Sequence, residues 1–180
     1  MQAWQTLRSE YIMESPYGNF RKDTCALPNG NIIEDYYVNE YSDWVNAIVI
    51  TKDRQLVLVK QYRQGGQDFF LEIPGGIAEK GEIYEEGITR EVIEETGYIS
   101  EHPPVWLGEF MVNPAVQNNK VVSYLFHEAY PGYAQDLDEN EDIQLEIIPL
   151  DMMEDLIANQ KITQLFTITS YYLAKSKGYV

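Results

Sequence analysis

Apolar and polar positions alternate in short runs through the first part of the chain. That period of two predicts strands at 8–14, 19–26 and 32–39. Leu27-Pro28-Asn29-Gly30 separates the last two, with proline setting φ and glycine free to take a positive one. Further strands are predicted at 44–51 and 55–61, joined by the turn Lys52-Asp53-Arg54, and at 69–73, 105–112, 121–130 and 143–148. The period lengthens to that of a helix over 83–96, where Gly97 stands at the capping position, again around 152–158, and over 163–176. In the last of these Leu165, Ile168 and Tyr172 fall near one face. Polar loops occupy 64–68, 113–120 and 131–142. Strands mixed with a few helices that do not alternate one for one predict an α+β or mixed-sheet α/β layer fold.

The helix over 83–96 is unusual. At about 100° per residue, Tyr84, Ile88 and Val92 form an apolar stripe, and Glu91 and Glu95 fall within roughly 20° of Tyr84. Two carboxylates one turn apart on the inward side need a cation to stay charged. Glu94, one turn from Arg90 on the adjoining flank, adds charge to the same cluster. Arg90 also follows Glu86 by four residues, a spacing that allows a helix-surface pair. Glu82 suits the positive end of the helix dipole. Ahead of the helix, Gly75 and Gly76 allow a sharp turn and close approach to a ligand, and the Gly75 carbonyl offers a further oxygen donor. An all-oxygen set of this kind favours Mg²⁺ or Mn²⁺ over zinc.

Charge narrows the partner. The net charge of −16 argues against a nucleic-acid polymer, which needs a basic face. A small anion remains compatible if divalent ions screen the carboxylates. The one cysteine, Cys25, cannot form an internal disulfide. The opening MQAWQTLRSEY lacks the apolar core of a signal peptide, and runs such as 44–50 are too short to span a bilayer. A cytoplasmic protein without a membrane partner is expected.

Gly76, Glu82, Arg90, Glu91, Val92, Glu94, Glu95, Gly97 and Tyr98 together resemble the Nudix box, G-x5-E-x7-R-E-U-x-E-E-x-G-U, with Tyr98 at a bulky apolar position usually held by an aliphatic residue. The pattern is too long for a Glu-rich background to produce by chance. The resemblance implies a Nudix hydrolase: an α/β/α sandwich on a mixed sheet that cleaves the pyrophosphate of a nucleoside diphosphate linked to another group, using Mg²⁺. It implies Glu91 and Glu95 as principal metal ligands, Glu94 as an assistant and the Gly75 carbonyl as a further ligand. Gly76, Glu82, Arg90 and Gly97 take structural parts.

Three stretches outside the box resemble the ADP-ribose and nucleotide-sugar pyrophosphatase branch. Gln61-Tyr62-Arg63 with Leu71-Glu72-Ile73-Pro74-Gly75-Gly76 implies that Arg63 contacts substrate phosphate and that Glu72 lies near the substrate. Pro114, sixteen residues beyond Tyr98, implies a substrate-binding loop, although Asn113 and Ala115 stand where branch members tend to have serine and glycine. Asp138-Glu139-Asn140-Glu141-Asp142-Ile143 implies Glu139 as the catalytic base and Glu141 as a metal ligand on a loop that closes. The implied division is an N-terminal antiparallel β segment, 1–41, able to swap between the subunits of a homodimer, and a Nudix domain, 42–180. An N-terminal aromatic would then stack on the base. The expected reaction is hydrolysis of a nucleoside diphosphate sugar, ADP-ribose favoured, to AMP and ribose 5-phosphate. GDP-mannose or another nucleotide sugar is the near alternative, and a Nudix module that binds a nucleotide sugar without cleaving it the farther one.

Overall fold

A computed structural model of the chain describes residues 1–79 and 81–180. These fall into two compact units, 1–43 with 110–120, and 44–109 with 121–180.

The first unit is built on an antiparallel sheet of β1 (Gln5–Met13), β2 (Asn19–Ala26) and β3 (Ile32–Glu40), in that order. Gly30 takes φ +86° and donates to the Leu27 carbonyl, making the turn expected there. Phe20 stacks on Tyr37 at 5.3 Å, and Trp4 meets Tyr36 edge-on. Buried Asp23 accepts from Arg21, which keeps its charge paired. The 113–119 loop is tied to this sheet, since Asn39 donates to the Val116 carbonyl at 2.8 Å and Tyr36 to that of Ala115. Cys25 is buried, as its small apolar side chain allows.

The remaining elements are β4 (Trp44–Thr51), β5 (Gln55–Arg63), β6 (Asp68–Glu72), β7 (Gly75–Ile77), α1 (Tyr84–Thr96), β8 (Tyr98–Ile99), β9 (Val105–Met111), β10 (Lys120–Pro131), β11 (Ile143–Pro149), α2 (Met153–Ala158) and α3 (Leu165–Ser176). The sheet runs β11-β5-β4-β10-β8, with β6 on β5, β7 on β4 and β9 on β10. It is mixed, because β10 and β4 are parallel while β4, β5 and β11 pair antiparallel. Side chains of β4 and β5 alternate between two cores. Val45, Ala47, Val49 and Val57 pack with Ile88 and Val92 of α1. Ile48, Ile50, Leu56 and Leu58 pack with Met153, Tyr171 and Ala174 of α2 and α3. One helix therefore covers one face and two cover the other, the expected α/β/α sandwich. Among the described residues no helix is long and apolar enough to cross a membrane.

β4 and β5 pair at Val49–Val57 and Ile50–Leu56, and then β6 pairs with β5 while β7 pairs with β4. The chain between β6 and β7 is pinned from both sides. The Ile73 N–H donates to Thr167 Oγ1 of α3 at 3.1 Å, and Ala47 N–H to the Pro74 carbonyl at 3.0 Å.

One local expectation differs. Gly75 and Gly76 lie in strand β7 without positive φ, so they do not make a sharp turn. Their value is close approach: a Cβ at Gly75 would stand 2.3 Å from the Val45 carbonyl oxygen. In α3 the stripe that includes Leu165 and Tyr172 is largely turned to solvent, and Thr167, Ser170, Tyr171 and Ala174 are buried instead. The buried hydroxyls find partners there. Ser170 Oγ donates to Asn46 Oδ1 at 3.2 Å and lies 2.8 Å from Ser123 Oγ. A small face with satisfied polar groups seats closer to the sheet than a bulky one.

Gly97 ends α1 at φ 70° with its N–H on the Ile93 carbonyl. Its own carbonyl accepts from the N–H groups of Gly132 and Tyr133, each at 2.9 Å, and a Cβ would sit 2.2 Å from the Tyr133 oxygen. Gly97→Ala should therefore cost about 2 kcal/mol, lowering Tm by roughly 4–8 °C. An unchanged Tm in a thermal melt would mean that the 132–142 loop is not anchored on this cap.

Candidate active site

The sandwich places α1 directly over β7. Its inward stripe includes Glu91 and Glu95 with Ile88 and Val92, as the helical period predicts; Glu91 is 9% exposed and Glu95 3%. The Gly75 N–H donates to Glu95 Oε2 at 2.8 Å. The Glu91 carboxylate lies against Gly76, where a Cβ would come within 2.4 Å of its carboxyl carbon. Only glycine leaves room for that carboxylate.

Arg90 gathers the box acids. Its Nη1 donates to Glu91 at 2.9 Å and to Glu94 at 2.8 Å, its Nε to Glu82 at 3.2 Å, and its Nη2 to Glu82 and to the Ile77 carbonyl. The helix-surface pair with Glu86 is therefore not the arrangement adopted, because three nearer acids surround the guanidinium. Glu82 also accepts from the Glu79 N–H, which fixes the approach to α1. The Arg90 bond, with that N–H, holds Glu82 below the usual carboxylate range.

A cavity of about 760 Å³ opens beside this helix. Glu91, Glu95, Gly75 and Gly76 line it, as do Arg63 and Glu72. Arg63 Nε and Nη2 bind the two oxygens of buried Glu72 at 3.1 and 2.6 Å. Burial works against the Arg63 charge, but Glu72, with Glu95 and Glu141 behind it, outweighs this and raises the pKa. Asp138 and Glu141 reach the same cavity from the 132–142 loop. That loop is rooted on the end of α1, where Asp136 N–H donates to the Glu94 carbonyl at 2.9 Å and the Gln135 amide to that of Glu95 at 2.7 Å. At the tip, Glu141 accepts from the Asp138 N–H at 3.1 Å. Glu139 is exposed beside them and does not line the cavity. Pro114 belongs to the first unit and is exposed on its loop.

Burial pushes the Glu95 carboxyl up to about 8; Glu91 and Glu141 add to the rise, while Gly75 N–H and Arg63 oppose it. Burial likewise pushes Glu91 upward against the pull of Arg90. Among the described residues no three metal-binding heads already converge on one point, because Arg90 holds Glu91 and Glu94. The donor chemistry nevertheless fits a hard divalent ion. Two buried carboxylates repel one another across a cavity, with oxygen donors alone around them and glycine making the space.

The NUDIX domain family model matches residues 41–166, and the model for the nucleoside diphosphate sugar hydrolase N-terminal domain matches residues 4–39. The chain belongs to the Nudix hydrolase family, and carries the N-terminal domain of its nucleoside diphosphate sugar hydrolases. It is 31% identical over 159 residues to the methanol dehydrogenase activator of Bacillus methanolicus, covering 88% of this chain and 85% of that one. It is 26% identical to the ADP-ribose pyrophosphatase of Bacillus subtilis (strain 168), with the same coverage. A crystal structure of an ADP compounds hydrolase shares the fold, with a TM-score of 0.84 at 21% identity, covering 100% of this chain and 98% of that one. Enzymes of this family generally work with divalent metal ions.

The cavity also has a wall that the sequence did not point to. Trp44, Phe166 and Gln164 line it, yet they come from an early strand and from the start of the last helix. No local spacing links positions so far apart. The one available signal was the tryptophan at the mouth of a predicted core strand.

The raised Glu95 pKa predicts how the metal-free protein responds to pH. The carboxyl takes up a proton on folding, so its contribution is intact below the unfolded value near 4.5 and is lost as pH rises through about 8. In EDTA, the wild-type urea midpoint should fall relative to Glu95→Gln across that window, and a divalent ion, which displaces the proton, should restore it. Parallel curves for the two proteins would remove the buried charge from the account.

Proposed function

We propose that this protein hydrolyses the pyrophosphate bond of a nucleoside diphosphate sugar, with ADP-ribose favoured and AMP and ribose 5-phosphate as products, using Mg²⁺ for which Mn²⁺ can substitute. The observation that carries this reading is the buried pair Glu91 and Glu95, one turn apart on a cavity that also holds Arg63. The N-terminal domain match and the Bacillus subtilis relative support the choice of substrate class.

In this reading Glu91 and Glu95 hold the metal with Glu94, Glu141 and the Gly75 carbonyl. Bound there, divalent ions would lower the pKa of a water and offset charge on the diphosphate. Arg90 and Glu82, seated by Gly76 and Gly97, position the box carboxylates. Glu72 occupies the Nε–Nη2 edge of the Arg63 guanidinium and leaves Nη1 to donate to a substrate phosphate. Glu139 is the base: it sits at an exposed loop tip whose neighbours Asp138 and Glu141 already face the cavity, so a small closure delivers it. Pro114 is proposed as a further substrate-binding residue on its spacing from Tyr98 alone. GDP-mannose is the nearest competing substrate.

Glu95→Gln should abolish turnover, and Glu139→Gln should lower kcat by about 10²–10⁴ with a much smaller change in KM. These are measured against a panel of ADP-ribose, GDP-mannose, UDP-glucose, NADH, diadenosine polyphosphates and 8-oxo-dGTP. Cleavage of none of them with Mg²⁺ or Mn²⁺ would sink the hydrolase reading and leave a nucleotide-sugar-binding module. The 31% identity to a dehydrogenase activator supports a second reading, action upon a dehydrogenase. Activation of methanol dehydrogenase without cleavage of any panel member would favour it.

The chain is further proposed to act as a homodimer through its N-terminal strands. β1 is exposed along its whole length, including Leu7, Tyr11, Ile12 and Met13, an apolar surface of the kind that a second copy covers. Sedimentation velocity at micromolar protein should report twice the chain mass; a monomer would reject this.

A further inference from the structure

The peptide unit between Pro74 and Gly75 is one rigid plane with both of its polar groups engaged. Its carbonyl accepts from the Ala47 N–H of β4 at 3.0 Å, and its N–H donates to Glu95 Oε2 of α1 at 2.8 Å. Two peptide units upstream, the N–H of buried Ile73 donates to Thr167 Oγ1 of α3 at 3.1 Å. Proline brings no N–H, so Ile73 carries the last donor before the one that Glu95 uses. Thr167 is fully buried and stands on a fixed part of α3. Its own N–H donates at 2.7 Å to the Gln164 side-chain oxygen, which caps the helix. The segment that faces Glu95 from one layer of the sandwich is thus held by a hydroxyl from the other layer.

We infer that Thr167 is a positioning residue for the divalent-ion site of Glu91, Glu95 and Gly75; this rests on the hydrolase reading above. Thr167 makes no hydrogen bond to these groups and acts through the backbone. Valine would fill the same space, so packing alone does not call for a hydroxyl. What the hydroxyl adds is an acceptor for an N–H cut off from water. Without it, the end of β6 must move to find another acceptor or leave that N–H unpaired. Such a movement reaches Glu95 with little loss. The locked φ of Pro74 removes one of the torsions that could absorb it. Gly75 already lies so close to β4 that a Cβ would stand 2.3 Å from the Val45 carbonyl oxygen, which leaves no slack on that side. Glu91 is affected as well, because its carboxylate fills the space beside Gly76. The spacing of the two carboxylates is therefore set partly from α3, a helix that supplies neither.

The test is Mn²⁺ binding to the full chain, read from the EPR signal of the free ion without substrate, beside the Mg²⁺ concentration that half-activates cleavage of ADP-ribose. Thr167→Val should weaken both by about tenfold or more, while KM for ADP-ribose at saturating Mg²⁺ changes far less. Thr167→Ser keeps the acceptor and should stay within about threefold of wild type. Thr167→Ala lacks the acceptor but leaves room for a water to replace it, so it should fall between the two. Met153→Ala, in the core that α2 and α3 share, should lower Tm at least as far as Thr167→Val yet leave Mn²⁺ binding unchanged. Equal weakening in Met153→Ala would reduce the hydroxyl to a stability role and overturn the inference. Weaker Mn²⁺ binding by Thr167→Val in a protein that cleaves no nucleotide sugar would retain the positioning role and reject the hydrolase reading. Equal Mn²⁺ affinity in Thr167→Val and wild type, with ADP-ribose cleaved by both, would overturn the positioning role and leave the hydrolase reading standing.

Discussion

The contact between α1 and β7 is the constraint on which the site depends. Two carboxylates are driven into the interior by helical period, and the strand beneath must be glycine for them to fit. Glu95 takes an N–H from Gly75, and Glu91 lies where any side chain at Gly76 would be. An isolated buried carboxylate is costly, by several kcal/mol in practice. Here the cost is met partly by protonation of Glu95 and partly by the Arg90 clamp on Glu91, Glu94 and Glu82. Both devices are provisional, since a proton and a guanidinium can each give way to a divalent ion. In the proposed enzyme the arrangement would be a metal site held in a resting state by groups already present.

The parting of β4 and β5 gives this contact its place. A continuous sheet would bury everything between its two helical layers. Here the chain from β6 to β7 passes between the strands, and its backbone is fastened to α3 through Ile73 and to β4 through Pro74. The site is therefore carried on a braced segment, while the 132–142 loop hangs from the carbonyl end of α1. Glu91 and Glu95 on the helix and the more exposed acidic loop have different anchoring, and the proposed base, acting only after substrate arrives, would require that difference.

Much of this was legible in the chain, for identifiable reasons. Strands β2 and β4 have the predicted bounds because each ends at a clear turn, Leu27-Pro28-Asn29-Gly30 after β2 and Lys52-Asp53-Arg54 after β4. Glu91 and Glu95 could be placed inward because an amphipathic stripe fixes phase as well as type. β7 and β8 went unread, being too short for any period to register. The inward face of α3 carries little hydropathy signal, because hydropathy counts hydroxyls as surface, whereas Thr167 and Ser170 are buried with partners supplied by Ile73, Ser123 and Asn46. Arg90 has three acids within a turn of it, Glu86, Glu91 and Glu94, and spacing alone could not choose among them. Trp44 and Phe166 meet only through tertiary structure, so the aromatic end of the cavity had no signature in sequence.

The strong acidity of the chain also takes on a different meaning once the cavity is described. A net charge of −16 should repel a diphosphate. Of the described residues that line the cavity, the cationic ones are Arg63 and Arg90. Arg90 is spent on three carboxylates, and Arg63 gives two of its nitrogens to Glu72. One guanidinium nitrogen is a thin counterweight for a diphosphate. In the proposed reaction most of the positive charge facing the diphosphate would therefore arrive with divalent ions, and the acids would concentrate those ions rather than the ligand. Affinity then depends on ion and ligand together, so neither should bind tightly alone.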